Sequence, residues 1–159
     1  MARPSLVLID IEEQDEVILF TRQALEQAGL GDEVDLLPFQ ARAGGLEEDY
    51  DLSPLHWPTP CNMLMMHTKA LRVAGGGFRD ECWMGRFFAD SGTLAQSPVV
   101  FYSGDIQEFK DHVELIRAGS QRRFLPEGQV EFVGVFELLY PGDGSGYGEW
   151  LAKKLVPFT

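Results

Sequence analysis

A chain of 159 residues, 45% of them hydrophobic, is the size of one ordinary domain with its own core, and the whole of 1–159 is expected to form a single unit. Its 13 basic and 25 acidic residues give a formal charge of −12, the wrong sign for gripping a phosphate backbone, so nucleic-acid binding is not expected. No apolar run is long enough to span a bilayer, no signal peptide precedes the first apolar segment, and the two cysteines, Cys61 and Cys82, lack zinc-ligand spacing, so the expectation is a cytoplasmic protein without membrane attachment or structural zinc.

Ser5 to Ile11 is a short, nearly continuous apolar run, the pattern of a strand covered on both faces. Asp15 to Ala28 follows with Val17, Phe20, Ala24, Leu25 and Ala28 on one helical stripe, acids in its first turn, and Gly29 just past its end. Glu33 to Phe39 is a second strand, and Pro38, which has no N–H to donate, suits a sheet edge. Gly44 to Pro60 carries three prolines and two glycines and reads as a long loop with at most one short helix.

Cys61 to Met66 is a third apolar run, ending at His67, Thr68 and Lys69. Beyond the Gly75–Gly77 turn a helical segment is expected, with Phe78, Cys82, Trp83 and Phe87 on one face. Those glycines lack the Lys-Ser/Thr of a phosphate-binding loop and the strand that a dinucleotide fingerprint needs directly before them. Pro98 to Ser103 is a fourth strand, and Ile106 to Ala118 its successor helix, with a stripe of Ile106, Phe109, Val113 and Ile116, a capping box in Asp105 and Glu108, and Gly119 as its stop. Arg122 to Leu125 fits a short fifth strand, Val130 to Tyr140 reads as strand or helix, and a last short helix falls near Glu149 to Leu155.

Strands alternating with helices of these lengths imply an α/β fold with a parallel sheet and helices on both faces, a three-layer doubly wound arrangement. In such sheets ligands gather beyond the carboxyl ends of the strands. That places Glu12 and Glu13 after the first strand, His67 after the third, and Ser103 with Asp105 after the fourth among the candidate site residues. Asp10, near the end of an apolar strand, is either part of that acidic site or simply close to the strand end; Lys69 and Arg72 either bring positive charge over it or, more plainly, are solvated loop residues.

The stretch LVLIDIEEQDEVILFTRQALEQAGL, with Leu25, Glu26 and Gly29 closing its helix, resembles the first strand and helix of bacterial response-regulator receivers, especially single-domain ones of the phytochrome-associated type. PVVFYSGD resembles the fourth receiver strand, which ends in Thr or Ser. The likeness runs over about residues 5–140, departs from the family between Gly44 and Ser97, and leaves 141–159 as a C-terminal extension. It implies a CheY-like, flavodoxin-like sheet of five parallel strands in the order 2-1-3-4-5, with Val130 to Tyr140 as the last receiver helix.

The resemblance also assigns roles. Receivers hold Mg²⁺ with two acids, accept phosphate on an Asp, sense it with a Thr or Ser, and bind it with a Lys. Glu12 and Glu13 stand at the acidic pair, and Ser103 at the switch position. His67 stands where the phosphoacceptor belongs, and no lysine lies near Leu125 and Pro126. The extra methylene of glutamate makes near-octahedral Mg²⁺ geometry harder to reach, so any Mg²⁺ binding is expected to be weak and no other cofactor is implied. The expectation is an atypical receiver, or pseudo-receiver, in which His67 and Ser103 form a degenerate phospho-site, no residue is catalytic, and signalling proceeds by contact with a protein partner; a homodimer is compatible with this. The second reading is a flavodoxin-like small-molecule or nucleotide-binding domain, or a metal-dependent hydrolase, using Glu12, Glu13, His67 and Ser103, because one fold serves many functions.

Overall fold

The computed structural model describes residues 3–11, 16–43, 50–52, 62–73, 77–79, 83, 98–119, 130–142 and 146–155. Strand β1 (Ser5–Ile11) is buried along its whole length. It pairs in parallel with β2 (Asp35–Ala43) from Ser5↔Asp35 to Ile11↔Ala41, and with β4 (Met63–His67) from Leu6↔Met63 to Ile9↔Met66. Strand β5 (Val99–Ser103) continues from β4, and β6 (Val130–Gly134) from β5, both in parallel. A two-residue strand β3 (Tyr50–Asp51) lies antiparallel on the end of β2, giving the order β3-β2-β1-β4-β5-β6. The five parallel strands, counted along the chain, therefore run 2-1-3-4-5, the doubly wound flavodoxin-like arrangement expected from the sequence. Pro38 sits opposite Leu8 at a point where β3 does not reach, so its missing donor falls on the open edge of β2.

Alternation along each strand divides the core in two. Val7, Ile9 and Ile11 face the side covered by α2 (Ile106–Gly119), where Phe109 and Val113 are buried. Leu6 and Leu8 face α1 (Glu16–Gln27) and α4 (Tyr147–Leu155) on the other side. Helix α1 stops at Gly29, whose φ of 76° is the left-handed conformation in which glycine ends a helix, and the Leu30 N–H turns back to the Leu25 carbonyl at 2.8 Å. Residues 141–159, set apart in the sequence as an extension, supply α4, and its Tyr147, Leu151 and Leu155 complete the core against α1.

Two sequence expectations change. Val130 to Tyr140 is not one helix: it divides at Gly134 into β6 and a short helix α3 (Val135–Leu139). The slot beside β5 accepts Val130, Phe132 and Val133 as a parallel edge strand, and the ladder with Val99–Ser103 outweighs local helix preference. The strand expected at 122–125 lies outside the described residues. Phe78 is likewise not helical; it makes an isolated antiparallel bridge with Arg72 and buries its ring edge-on against Phe109, 5.0 Å away. Trp83 packs against this same core with the Arg79 guanidinium 4.4 Å above its ring, while Cys82 and Phe87 lie outside the described residues. In the expected 44–60 loop the described part contains β3, with the remaining residues outside the description apart from Leu52.

Candidate functional site

Three strands deliver polar side chains to their carboxyl ends, and the pleat decides which face each one joins. Asp10 follows Leu6 and Leu8 onto the α1/α4 side; His67 follows Met63 and Met65, and Tyr102 follows Val100, onto that same side. Ser103 is one residue further and belongs to the α2 side. Parallel register sets His67 opposite Tyr102, so the next residue, Thr68, comes beside Ser103.

On the α1/α4 side, Asp10 is fully buried, with Oδ1 accepting from the Ile11 N–H at 2.8 Å and Oδ2 accepting from the Tyr102 hydroxyl at 2.8 Å. A buried carboxylate is tolerable only when donors replace its water, and these two do so. Burial first, and then the Asp10 charge and hydrogen bond, push the Tyr102 phenol well above its ordinary range. Tyr147 reaches into the same layer from α4, where its hydroxyl meets that of Thr21 at 2.8 Å. Burial raises the Tyr147 phenol too, with the charge of Asp10 adding to it and Thr21 opposing. The His67 ring stands edge-on to Tyr102 at 5.2 Å, and its Nδ1 accepts the Lys69 N–H at 3.0 Å, which caps the 3₁₀ turn Thr68–Leu71. With Nδ1 accepting, a neutral His67 carries its proton on Nε2. The Lys69 side chain is exposed.

On the α2 side, the buried Thr68 hydroxyl donates to Ser103 Oγ at 2.7 Å, and Ser103 donates onward to the Asp105 carboxylate. Arg72, leaving the 3₁₀ turn, pairs with Asp105 and, at 3.0 Å, with Glu108 of the first turn of α2. Partial burial would raise the Asp105 carboxyl, but the Ser103 hydrogen bond and the Arg72 guanidinium prevail and hold it below its usual range. Burial likewise works to lower the Arg72 pKa, and Glu108 and Asp105 overcome it. The chain of contacts from Thr68 to Glu108 binds the β4 end to the start of α2.

The sequence-derived candidates thus separate. Asp10 and His67 share one face, Ser103 takes the other, and Arg72 is occupied by two carboxylates instead of standing over an acidic pocket. Glu12 and Glu13 lie outside the described residues. Among the described residues no three His, Cys, Asp or Glu side chains come together to hold a metal ion. Sequence reading passed over Tyr102, Thr68 and Tyr147; the signal for Tyr102 and Thr68 was register, which follows only once β4 and β5 are paired. No helix among the described residues is long and apolar enough to cross a membrane.

No family model matches the chain, and no curated protein or solved structure matches it significantly.

Proposed function

We propose that this chain is a receiver-like signalling domain of the cytoplasm that works through protein contacts and does not cycle through an aspartyl phosphate. One observation carries the reading: the hydroxyl at the switch position, Ser103, is already held between Thr68 and the Asp105 carboxylate, with Arg72 neutralising that carboxylate. An incoming phosphoryl group would have to displace an anion that is already satisfied. The groups around it support the same view. His67, whose imidazole cannot form an acyl phosphate, ends β4. The residues directly following β6 are Val135, Phe136 and Glu137, none of them a lysine that could bind a phosphoryl oxygen at the end of that strand.

The test is intact-mass spectrometry of the full chain after incubation with acetyl phosphate and Mg²⁺. The mass is expected to stay unchanged. A stoichiometric phosphate adduct mapped to Asp10 or another strand-end aspartate refutes the proposal and makes this an active receiver.

A further inference from the structure

The packing of α4 on α1 creates a feature that the strand ends do not use. A Cβ placed on Gly148 would lie 2.6 Å from the Ala24 carbonyl oxygen, so the two helices cross with their backbones almost touching. Side chains beside so close a crossing have nothing to interlock with, and an open groove of about 360 Å³ remains between α1, the end of α3 and the start of α4. Its apolar walls are Phe20, Leu139 and Tyr140. Phe20 is 42% exposed and Tyr140 60%, large values for aromatic residues. The patch continues onto Phe136, 68% exposed, whose ring lies 5.2 Å from that of Tyr140. Contiguous exposed apolar surface of this kind marks an interaction site.

Chemistry narrows the occupant. The exposed polar lining is Gln23, Gln27 and Glu149, and the buried Tyr147 has its hydroxyl engaged with Thr21 at 2.8 Å, so the groove does not present the converging buried polar groups that orient a small molecule. Glu16 precedes Phe20 by one helical turn on the same stripe, and Glu149 lies in the opposite wall, within a chain of net charge −12. Lys153 stands four residues after Glu149, a spacing at which opposite charges pair. A second copy of the chain carries the same net charge of −12 and is repelled as a whole, whereas a basic partner is attracted. We propose that the groove between α1 and α4 is the docking site for a basic amphipathic helix of a partner protein, its apolar side chains seated on Phe20, Leu139 and Tyr140 and its lysines or arginines facing Glu16 and Glu149. This rests on the reading that the domain acts through protein contacts, and it names the face and the chemistry of the contact.

The probe is a synthetic peptide of about 14 leucine and lysine residues with the leucines at helical i, i+3, i+4, i+7 spacing, titrated into the full isotope-labelled chain and followed by NMR. A scrambled peptide of the same composition, which keeps the charge and loses the apolar face, is the control. The amphipathic peptide is expected to shift the amides of Phe20, Gln23, Gln27, Tyr140 and Gly148, and the scrambled one to leave them in place. Phe20→Glu and Tyr140→Ser, both at exposed positions, should each weaken binding about tenfold or more while the remaining spectrum shows an intact fold. Equal binding of the scrambled peptide, or an affinity unchanged by both substitutions, overturns the proposal. Shifts confined to the carboxyl ends of the strands overturn the groove and leave contact-based signalling standing. An aspartyl-phosphate adduct, by contrast, removes that signalling reading without touching the groove titration.

Discussion

Replacing Tyr102 by phenylalanine removes one oxygen from the centre of the fold and leaves the ring, which is buried between β5 and the α1/α4 layer. That oxygen donates at 2.8 Å to Asp10 Oδ2, and Asp10 is itself fully buried, so water cannot take the vacated place without opening the core. A hydrogen bond to a charged acceptor contributes about 1.5–3 kcal/mol, and a domain of this kind is stable by only about 5–15 kcal/mol. At pH 7 Tyr102→Phe should therefore lower the unfolding free energy by about 1.5–3 kcal/mol, which moves a urea midpoint by roughly 1 M. The pH dependence gives a sharper signature. Because burial and Asp10 raise the Tyr102 phenol, the folded protein keeps that proton above about pH 10, where an unfolded tyrosine releases it. The stability tied to the raised pKa is present in full below the unfolded value and is lost as pH rises, by about 1.4 kcal/mol per pH unit for one proton. Phenylalanine has no such proton. The gap between wild type and variant should then shrink above about pH 10. Urea titrations from neutral to alkaline pH, read by circular dichroism, measure this directly. A gap under about 0.5 kcal/mol at pH 7, or one that stays constant through the alkaline range, would refute the buried Tyr102–Asp10 bond.

Gly148→Ala is expected to destabilise by about 1–3 kcal/mol in denaturant melts even though alanine is the better helix former by about 1 kcal/mol, because the new methyl meets the Ala24 carbonyl and forces α1 and α4 apart. A neutral or stabilising result would mean that the crossing is looser than described. Asp105→Asn should flatten the acid side of the stability profile: the Asp105 carboxyl is held below its usual range, so its contribution is present above about pH 4 and is lost as pH falls through the lower folded value. An acid limb with the same slope in variant and wild type would contradict that assignment. Thr68→Val removes the donor to Ser103 and should cost about 1 kcal/mol at neutral pH, with amide shifts at Ser103, Gly104 and Asp105 reporting the loosened β5 end.

Much of the architecture was legible along the chain because it is written in local patterns. The nearly unbroken apolar run Ser5–Ile11 announces a strand covered on both faces, and the strand is buried along its whole length. Glu16–Gln27 and Ile106–Gly119 carry the period of a helix and end where glycine permits, within a residue or two of expectation. Pro38 marked the open side of β2 before any partner was known, since a residue without a donor cannot serve a second ladder.

What the tertiary structure alone decided are relations between distant residues. Val130–Tyr140 suits strand and helix equally, and only the vacant side of β5 turns its first half into β6 and leaves Val135–Leu139 to a helix. His67 and Ser103 look like partners because both end strands, yet the period of two in the pleat sends them to opposite faces, giving Tyr102 to Asp10 and Thr68 to Ser103. Gly148 stands just before the helix expected near Glu149 to Leu155; its purpose, to let α4 touch the backbone of α1, exists only once those helices cross. Periodicity records which face of an element is buried, while register and crossing distance, which settle the partners of Asp10 and Ser103 and open the groove beside Phe20, arise only when the elements meet.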